Sequence, residues 1–360
     1  MTAAYRWCLV GLGVAVLLAL PTVVRVLPVQ DSAVSAAALL QRVQASGEVA
    51  YSGYAESDGG LQLPVTDSFS DLATLLGERS RLRVWWRGGD DWRVDSLATT
   101  GETDLIRSGA ALTTWQYEAN RVTTSVDPPV RLPRSSDLVP AVLGRRLLSE
   151  ATPQEVSRLP AEQVAGRDAP GLRLTPSDPQ STVARVDVWV DDATGVALKV
   201  ALYGADSADP AVSSAFLDFS TAPPPAAATA FTPPPGAERR TEDAVDIAAA
   251  ANQFAPVRPP ATLAGLQRRT GPDLGAVGEY GRGVTLLVAI PLWDDAANRL
   301  RDQLSTTPGA RIRPGGTGLT IGPVSLLLTD GGPSWFLSGT VTGRTLRVAG
   351  AQLAGVSSPR

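Results

Sequence analysis

The chain of 360 residues contains no histidine, one cysteine (Cys8), one methionine (Met1) and one lysine (Lys199). Without histidine there can be no Ser-His-Asp or Cys-His nucleophilic site and no histidine-bearing zinc site. A single cysteine excludes an intrachain disulfide, a CxxC redox pair and a cysteine zinc site. What survives is carboxylate chemistry, Ser/Lys chemistry through Lys199, or no chemistry. Lys199 sits in a strand-like stretch with no Ser-x-x-Lys context. The 31 arginines beside one lysine accord with the codon bias that also enriches alanine and glycine, so they do not by themselves mark a binding surface. A net charge of -4 gives no case for nucleic acid, which needs a basic stripe. With 44% hydrophobic and 19% charged residues the composition is globular, and the length suggests two domains at roughly 150 residues each.

Long apolar runs are also scarce, with one exception. Arg6 precedes an uncharged run from Trp7 to Val24, which Arg25 ends. A signal-peptide core is about 7–15 residues and a membrane span about 20, so this run lies between them. Ala33-Val34-Ser35 offers a small-x-small cleavage site, but far downstream. The favoured reading is an uncleaved signal anchor over residues 1–30, with a cleaved signal peptide as the alternative. Cys8, Leu12, Val16, Leu20 and Val24 are its expected membrane-spanning residues, and Cys8 is inert there. Either way the body is expected outside the cytoplasm.

Asp31 to Ser46 reads as a first helix, with Asp31 and Ser32 as caps and Gly47 as its stop. Strand patterns then dominate to Phe219. Leu82, Val84 and Trp86 alternate with Arg81, Arg83, Trp85 and Arg87; Gly88 to Asp91 turns the chain into Trp92-Arg93-Val94-Asp95, a period-two hairpin. Leu112–Glu118 and Arg121–Thr124 form the next expected pair, and Arg185–Asp191 with Val196–Tyr203 another. One helix interrupts, Asp137 to Leu148, with Leu138, Val142 and Leu143 or Leu147 inward. Strand following strand predicts one large antiparallel sheet with few helices over 31–220. Residues 221–255 read as a stiff connector rich in proline and alanine, ending in a short helix. Residues 256–356 read as a small α+β unit. It has a glycine hairpin at Gly281-Arg282-Gly283, a helix capped by Asp294, and a final helix capped by Thr342 that buries Leu346, Ala349, Gly350 and Leu353.

The carboxylate pairs Asp90-Asp91, Asp191-Asp192 and Asp294-Asp295 all fall at turns or a helix start, where aspartate is favoured without any chemistry. A glycosidase pair must face across a cleft, which the spacing does not establish. The tryptophans say more. Trp86 shares a face with Leu82 and Val84 and reads as core. Trp85 and Trp189 share faces with arginine and aspartate, which suits either aromatic–arginine stacking on a solvated face or an open cavity. Trp85, Trp115 and Trp189 are the candidate ligand-contacting residues.

Four segments carry a family resemblance. They are Gly278-Glu-Tyr-Gly-Arg-Gly-Val-Thr-Leu-Leu-Val, Ser334-Trp-Phe-Leu-Ser-Gly-Thr-Val-Thr-Gly-Arg-Thr-Leu-Arg-Val-Ala, Trp85-Trp-Arg-Gly with Trp92-Arg-Val-Asp, and Trp115-x-Tyr. With the export segment, first helix, strand-rich region and proline connector, the chain resembles the RseB/MucB family of extracytoplasmic sigma-factor regulators, in its actinobacterial form. Thr342 and Gly343 stand where a proline is more usual. The resemblance implies an α+β protein whose large domain is a LolA-like, incompletely closed antiparallel β-barrel, followed by a small α+β domain. It implies a non-catalytic protein without cofactor, a membrane-bound anti-sigma factor as partner, and a lipid or lipoprotein as the sensed ligand. A lipid or lipoprotein carrier is the alternative, and a carboxylate hydrolase the remote one.

Overall fold

The computed structural model describes residues 29–61, 70–99, 101–128, 130–241 and 246–355. The expected membrane-spanning residues Cys8, Leu12, Val16, Leu20 and Val24 lie outside the described residues. Among the described residues no helix is long and apolar enough to cross a membrane.

The chain begins with helix α1 (Ala36–Ala45), strand β1 (Tyr51–Gly59) and helix α2 (Ser70–Gly77). A meander follows: β2 (Arg79–Gly88), β3 (Asp91–Ala98), β4 (Gly101–Ser108), β5 (Ala111–Gln116) and β6 (Arg121–Val126). After helix α3 (Pro140–Leu148) comes a second meander: β7 (Val156–Val164), β8 (Arg167–Leu174), β9 (Val183–Val190), β10 (Ala197–Gly204) and β11 (Val212–Ser220). Strand β11 pairs antiparallel with β1, which joins both meanders into one sheet. After a one-turn helix α4 (Ala226–Thr229), strand β12 (Glu238–Thr241) adds itself parallel to β6. The result is an open 12-stranded sheet that runs from β12 at one edge to β7 at the other. Its unclosed form, antiparallel except for the β12–β6 pair, agrees with the fold class read from the sequence.

Helices α1 and α3 fill the concave side. Leu39, Leu40 and Val43 of α1 and Leu148 of α3 pack on Val186, Val188, Val190 and Val200. Full burial of each such side chain contributes about 1.5–3 kcal/mol. Both helices differ from expectation in detail. Helix α1 starts at Ala36, and Ser35 rather than Asp31 or Ser32 caps it, its hydroxyl accepting from the Ala38 N–H at 3.2 Å. Asp31 is instead paired with Arg158. The 137–148 helix splits into a 3-10 turn over Ser135–Leu138 and α3, because Pro140 lacks the N–H that a continuous helix needs. Its inward face is Ala141, Gly144 and Leu148, while Val142, Leu143 and Leu147 are half-buried at its flanks. Gly144 allows the close approach: a Cβ there would lie 2.6 Å from Ala197 Cβ and 3.1 Å from Val200 Cγ2.

The C-terminal part adds helix α5 (Ile247–Phe254), a short hairpin β13 (Thr262–Leu263) and β14 (Leu266–Gln267), and strands β15 (Gly278–Arg282) and β16 (Thr285–Leu292). Helix α6 (Asp294–Thr306), strands β17 (Arg311–Arg313), β18 (Gly316–Ile321), β19 (Val324–Thr329) and β20 (Ser334–Gly339), and helix α7 (Gly343–Leu353) complete it. Its 6-stranded sheet has the order β15-β16-β20-β19-β18-β17. Successive strand residues point to opposite faces, and the two helices use both. Leu304 of α6 meets Leu319 and Leu328, whereas Leu346, Ala349 and Leu353 of α7 meet Leu327, Trp335 and Leu337. Thr342 caps α7 as expected, accepting from the Thr345 N–H at 3.2 Å. Asp294 is not a cap: Trp293 holds that position, and Asp294 and Asp295 lie in the first turn, where their charge suits the helix dipole.

Candidate functional site

Residues 221–237 belong to the stretch read as a stiff connector. They form a strap across the convex face of the large sheet. Helix α4 lies against β2 and β3. Arg87 donates to the Pro224 carbonyl at 2.6 Å, and Phe231 packs on Trp115 with ring centroids 5.9 Å apart. Hydrogen bonding from Thr229 and then from Arg87 holds the Asp91 carboxyl below its usual range. The strap covers part of a face with arginine and aspartate at alternate positions, over Trp115 and beside Arg87 and Asp91.

The three candidate tryptophans do not converge. Trp85 is partly exposed, with the Arg93 guanidinium 5.5 Å above its ring. Trp115 is buried with Ile106 and Val122 under Phe231 and Ala237. Trp189 is buried, donates to the Pro160 carbonyl at 3.2 Å, and carries the Lys199 ammonium 4.3 Å from its ring centre. Lys199 also pairs with Glu162 at 2.6 Å, an ordinary ion pair. Trp86 is core as expected, stacked between Tyr51 at 5.9 Å and Trp92 at 5.6 Å.

Two clefts among the described residues are lined by none of those three tryptophans. The first, about 390 Å³, lies between the large and small sheets and is lined by Leu147, Glu150, Glu155, Leu174, Pro176, Gln180, Arg282 and Val284 among others. Its charged wall starts from a capping box, in which Glu155 accepts from the Thr152 N–H and hydroxyl, each at 3.0 Å. Ser177 donates to Glu155 at 2.8 Å and Arg282 at 2.5 Å. Burial opposes the charge on Glu155, but these donors outweigh it and bring the carboxyl down to about 2. Glu150 accepts from Arg269 and from the Gly283 N–H, the latter at 3.0 Å. Gly281 and Gly283 have φ of +95° and +57°, and a Cβ on Gly281 would lie 2.2 Å from the Thr285 carbonyl oxygen. The turn therefore requires glycine and aims Arg282 at the large sheet. Beyond the cleft the β8–β9 loop is stitched to the small sheet, with Thr182 N–H donating to Thr340 O at 3.0 Å and Thr342 N–H to Gln180 O at 2.9 Å.

The second cleft, about 460 Å³, is an open groove on the small domain lined by Phe254, Pro256, Leu292, Trp293, Asp294 and Pro333 among others. The Phe254 and Trp293 rings are 5.0 Å apart.

The sequence reading missed one further cluster. Asp95, Glu102 and Asp104 bring carboxylate oxygens within 4.8 Å of one another on the convex face. Arg93 bridges Asp95 at 2.6 Å and Asp104 at 2.7 Å, and Arg83 reaches Glu102 at 2.5 Å. Two guanidinium groups thus stand where a cation would. Burial, and then the neighbouring Asp95 charge, push the Asp104 carboxyl up to about 7. The pair lines neither of these two clefts. Asp191, from a pair read as a turn, is held by Thr194 and Arg167 at a turn.

No family model matches the sequence, and no curated protein matches it. Among solved structures, a chain of the Pseudomonas aeruginosa MucA/MucB complex aligns with a TM-score of 0.50 and 18% identity, over 87% of this chain and 96% of that one. A second structure of MucB in complex with the periplasmic part of MucA aligns with a TM-score of 0.48 and 18% identity, over 86% of this chain and 96% of that one. The first alignment shows a shared fold that spans both the open 12-stranded sheet and the 6-stranded sheet.

Proposed function

We propose that this chain is a non-catalytic, extracytoplasmic regulator that binds the extracytoplasmic segment of a membrane-bound anti-sigma factor, tethered by its N-terminal apolar segment. The observation that carries this reading is the likeness over 87% of the chain, both sheets included, to a chain of a MucA/MucB complex. A carrier needs the large sheet alone; here the small sheet is bonded to it through Glu150, Glu155 and the β8–β9 loop, which suits a binder that uses both. A carrier also needs an open apolar cavity, and Leu39, Leu40, Val188 and Val200 are each 0–1% exposed where the helices fill the concave side. A lipid or lipoprotein signal remains part of the proposal, with Trp85 the ring of the three that is partly exposed.

The test is co-purification of the full-length chain with the extracytoplasmic segment of the single-span protein encoded beside it, followed by protease challenge of that segment. A stable complex that slows cleavage supports the regulator. Absence of a complex, together with transfer of co-purified lipid to acceptor vesicles, overturns it in favour of the carrier.

A further inference from the structure

The convex face of the large sheet carries two charge clusters of opposite balance. On β8 and β9, Asp187 is 3% exposed and meets two guanidinium groups, Arg173 at 2.6 Å and Arg185 at 3.5 Å. On β2 to β4, three carboxylates meet two guanidinium groups. Asp95 and Asp104 face each other directly across β3 and β4 and are 1% and 2% exposed. Three carboxylates against two guanidinium groups leave one negative charge in excess beside side chains that deeply buried, and the cheapest relief is a proton. The hydrogen bonding agrees. Asp104 Oδ1 is buried with no donor to accept from, while a proton on the carboxyl makes Asp104 a donor with Asp95 as its acceptor.

We propose that Asp95 and Asp104 hold one proton between them, and that its loss loosens the strap of residues 221–237 from the convex face. The route is short. In register, Arg83, Asp95, Asp104, Trp115 and Val122 form one row across β2 to β6. Phe231 of the strap sits on Trp115, the residue paired with Asp104. The charged groups facing the pair are Arg83 from β2, Arg93 from β3 and Glu102 from β4; Glu118, beyond β5, accepts from the Glu102 N–H. The strap itself offers none, since Thr221 to Ala237 contains no charged residue. Once the proton leaves, two guanidinium groups face three carboxylates, and water drawn to the excess charge favours the state in which the neighbouring uncharged strap has lifted from Trp115.

The absence of histidine makes this testable, because no imidazole titrates near neutrality to mask a carboxyl pair. The folded-state Asp104 carboxyl lies at about 7, above its ordinary 3.8, so the protonated pair favours the closed strap and the contribution fades as pH rises toward 7. One linked proton changes an opening constant by up to about tenfold per pH unit. Hydrogen exchange of the 221–237 amides, corrected for the intrinsic pH dependence, is measured on the full-length protein from pH 5 to 8. Carboxyl NMR of aspartate-labelled protein covers the same range. We expect one aspartate to titrate near neutrality, and strap opening to rise by up to about a hundredfold between pH 5 and 7. Asp104→Asn should remove the slope, while Asp187→Asn, in the cation-rich cluster, should leave it. If no carboxyl titrates in the wild-type protein between pH 5 and 8, the shared proton does not exist. If one titrates while strap exchange stays flat, or if the slope survives in Asp104→Asn, the link to the strap is wrong. The wild-type measurements decide even if the variant fails to fold.

Discussion

The two halves of the large sheet bury their concave face by different means. In the half built from β8, β9 and β10, small branched side chains lie under two helices, and Gly144 lets α3 descend onto Ala197 and Val200. In the half built from β1, β2 and β3 the side chains are large. Tyr51, Trp86 and Trp92 stack with interplanar angles of 4° and 3°, closed by Phe216 and Phe219. The convex faces differ in the same sense. In the first half Arg173 and Arg185 pair with a buried Asp187, while in the second an uncharged strap lies against β2 and β3 and over Trp115. One half is closed by helices from inside, the other by rings inside and a strap outside. The strap is held by few contacts, so the aromatic half is where local opening should be easiest.

The largest expected effect tests whether the stack carries its half. Trp86→Ala removes the ring between Tyr51 and Trp92 and the indole N–H that donates to the Gly47 carbonyl at 3.3 Å. A loss of about 3–5 kcal/mol in urea-unfolding free energy is expected. A loss below about 1 kcal/mol would mean that the helices, not the rings, hold both halves.

Gly144→Ala tests the helical half. Alanine in a helix interior gains about 1 kcal/mol over glycine. Here the added Cβ meets Ala197 Cβ at 2.6 Å, and overpacking of that kind costs about 1–3 kcal/mol. The clash should win, so the urea midpoint falls; a rise would show that α3 can lift off the sheet at little cost.

Much of this architecture was legible in the residues. Period-two alternation over 82–95 and 185–203 placed both hairpins and assigned Trp86 to the core, because alternation alone fixes which face a strand residue takes. The final helix and its Thr342 cap were legible for the analogous reason at helical spacing. What alternation could not show is that part of the second face would also be covered. Arg83 and Trp85 do stay half-exposed, but Trp115 on the same face lies under Phe231, a contact between residues more than 100 apart in sequence. The Asp95–Asp104 pair is a local contact across β3 and β4, hidden because Gly101–Ser108 is not read as a strand from the sequence. Glu155 left a local trace, the Thr152-x-x-Glu155 capping box, but nothing in that box announces Arg282 from the other sheet.

Phe231→Ala sharpens the comparison more gently. It removes the anchor on Trp115 without touching the stack on the opposite face. About 1–2 kcal/mol of strap stability should be lost, as judged from apolar area alone. Hydrogen exchange should rise in 221–237 and in β6, with α1 and α3 unaffected. Equal increases in both halves would show that the sheet opens as one unit.

The smallest effect is expected at the contact between the two sheets, and its sign distinguishes it from the strap. Glu155 titrates at about 2, below its ordinary 4.5. Its contribution is therefore complete above pH 4.5 and is lost as pH falls toward 2. Asp104 runs the other way, since its contribution is lost as pH rises toward 7. Arg282 is 48% exposed, so solvent screens the pair and about 1 kcal/mol is a fair size for it. Glu155→Gln should cost that amount at pH 6 and flatten the acid limb below pH 4.5 in urea unfolding of the small domain. It should leave the near-neutral strap exchange unchanged. If the variant moved both limbs, the two carboxyls would belong to one coupled network rather than to separate devices at the domain contact and on the strapped face.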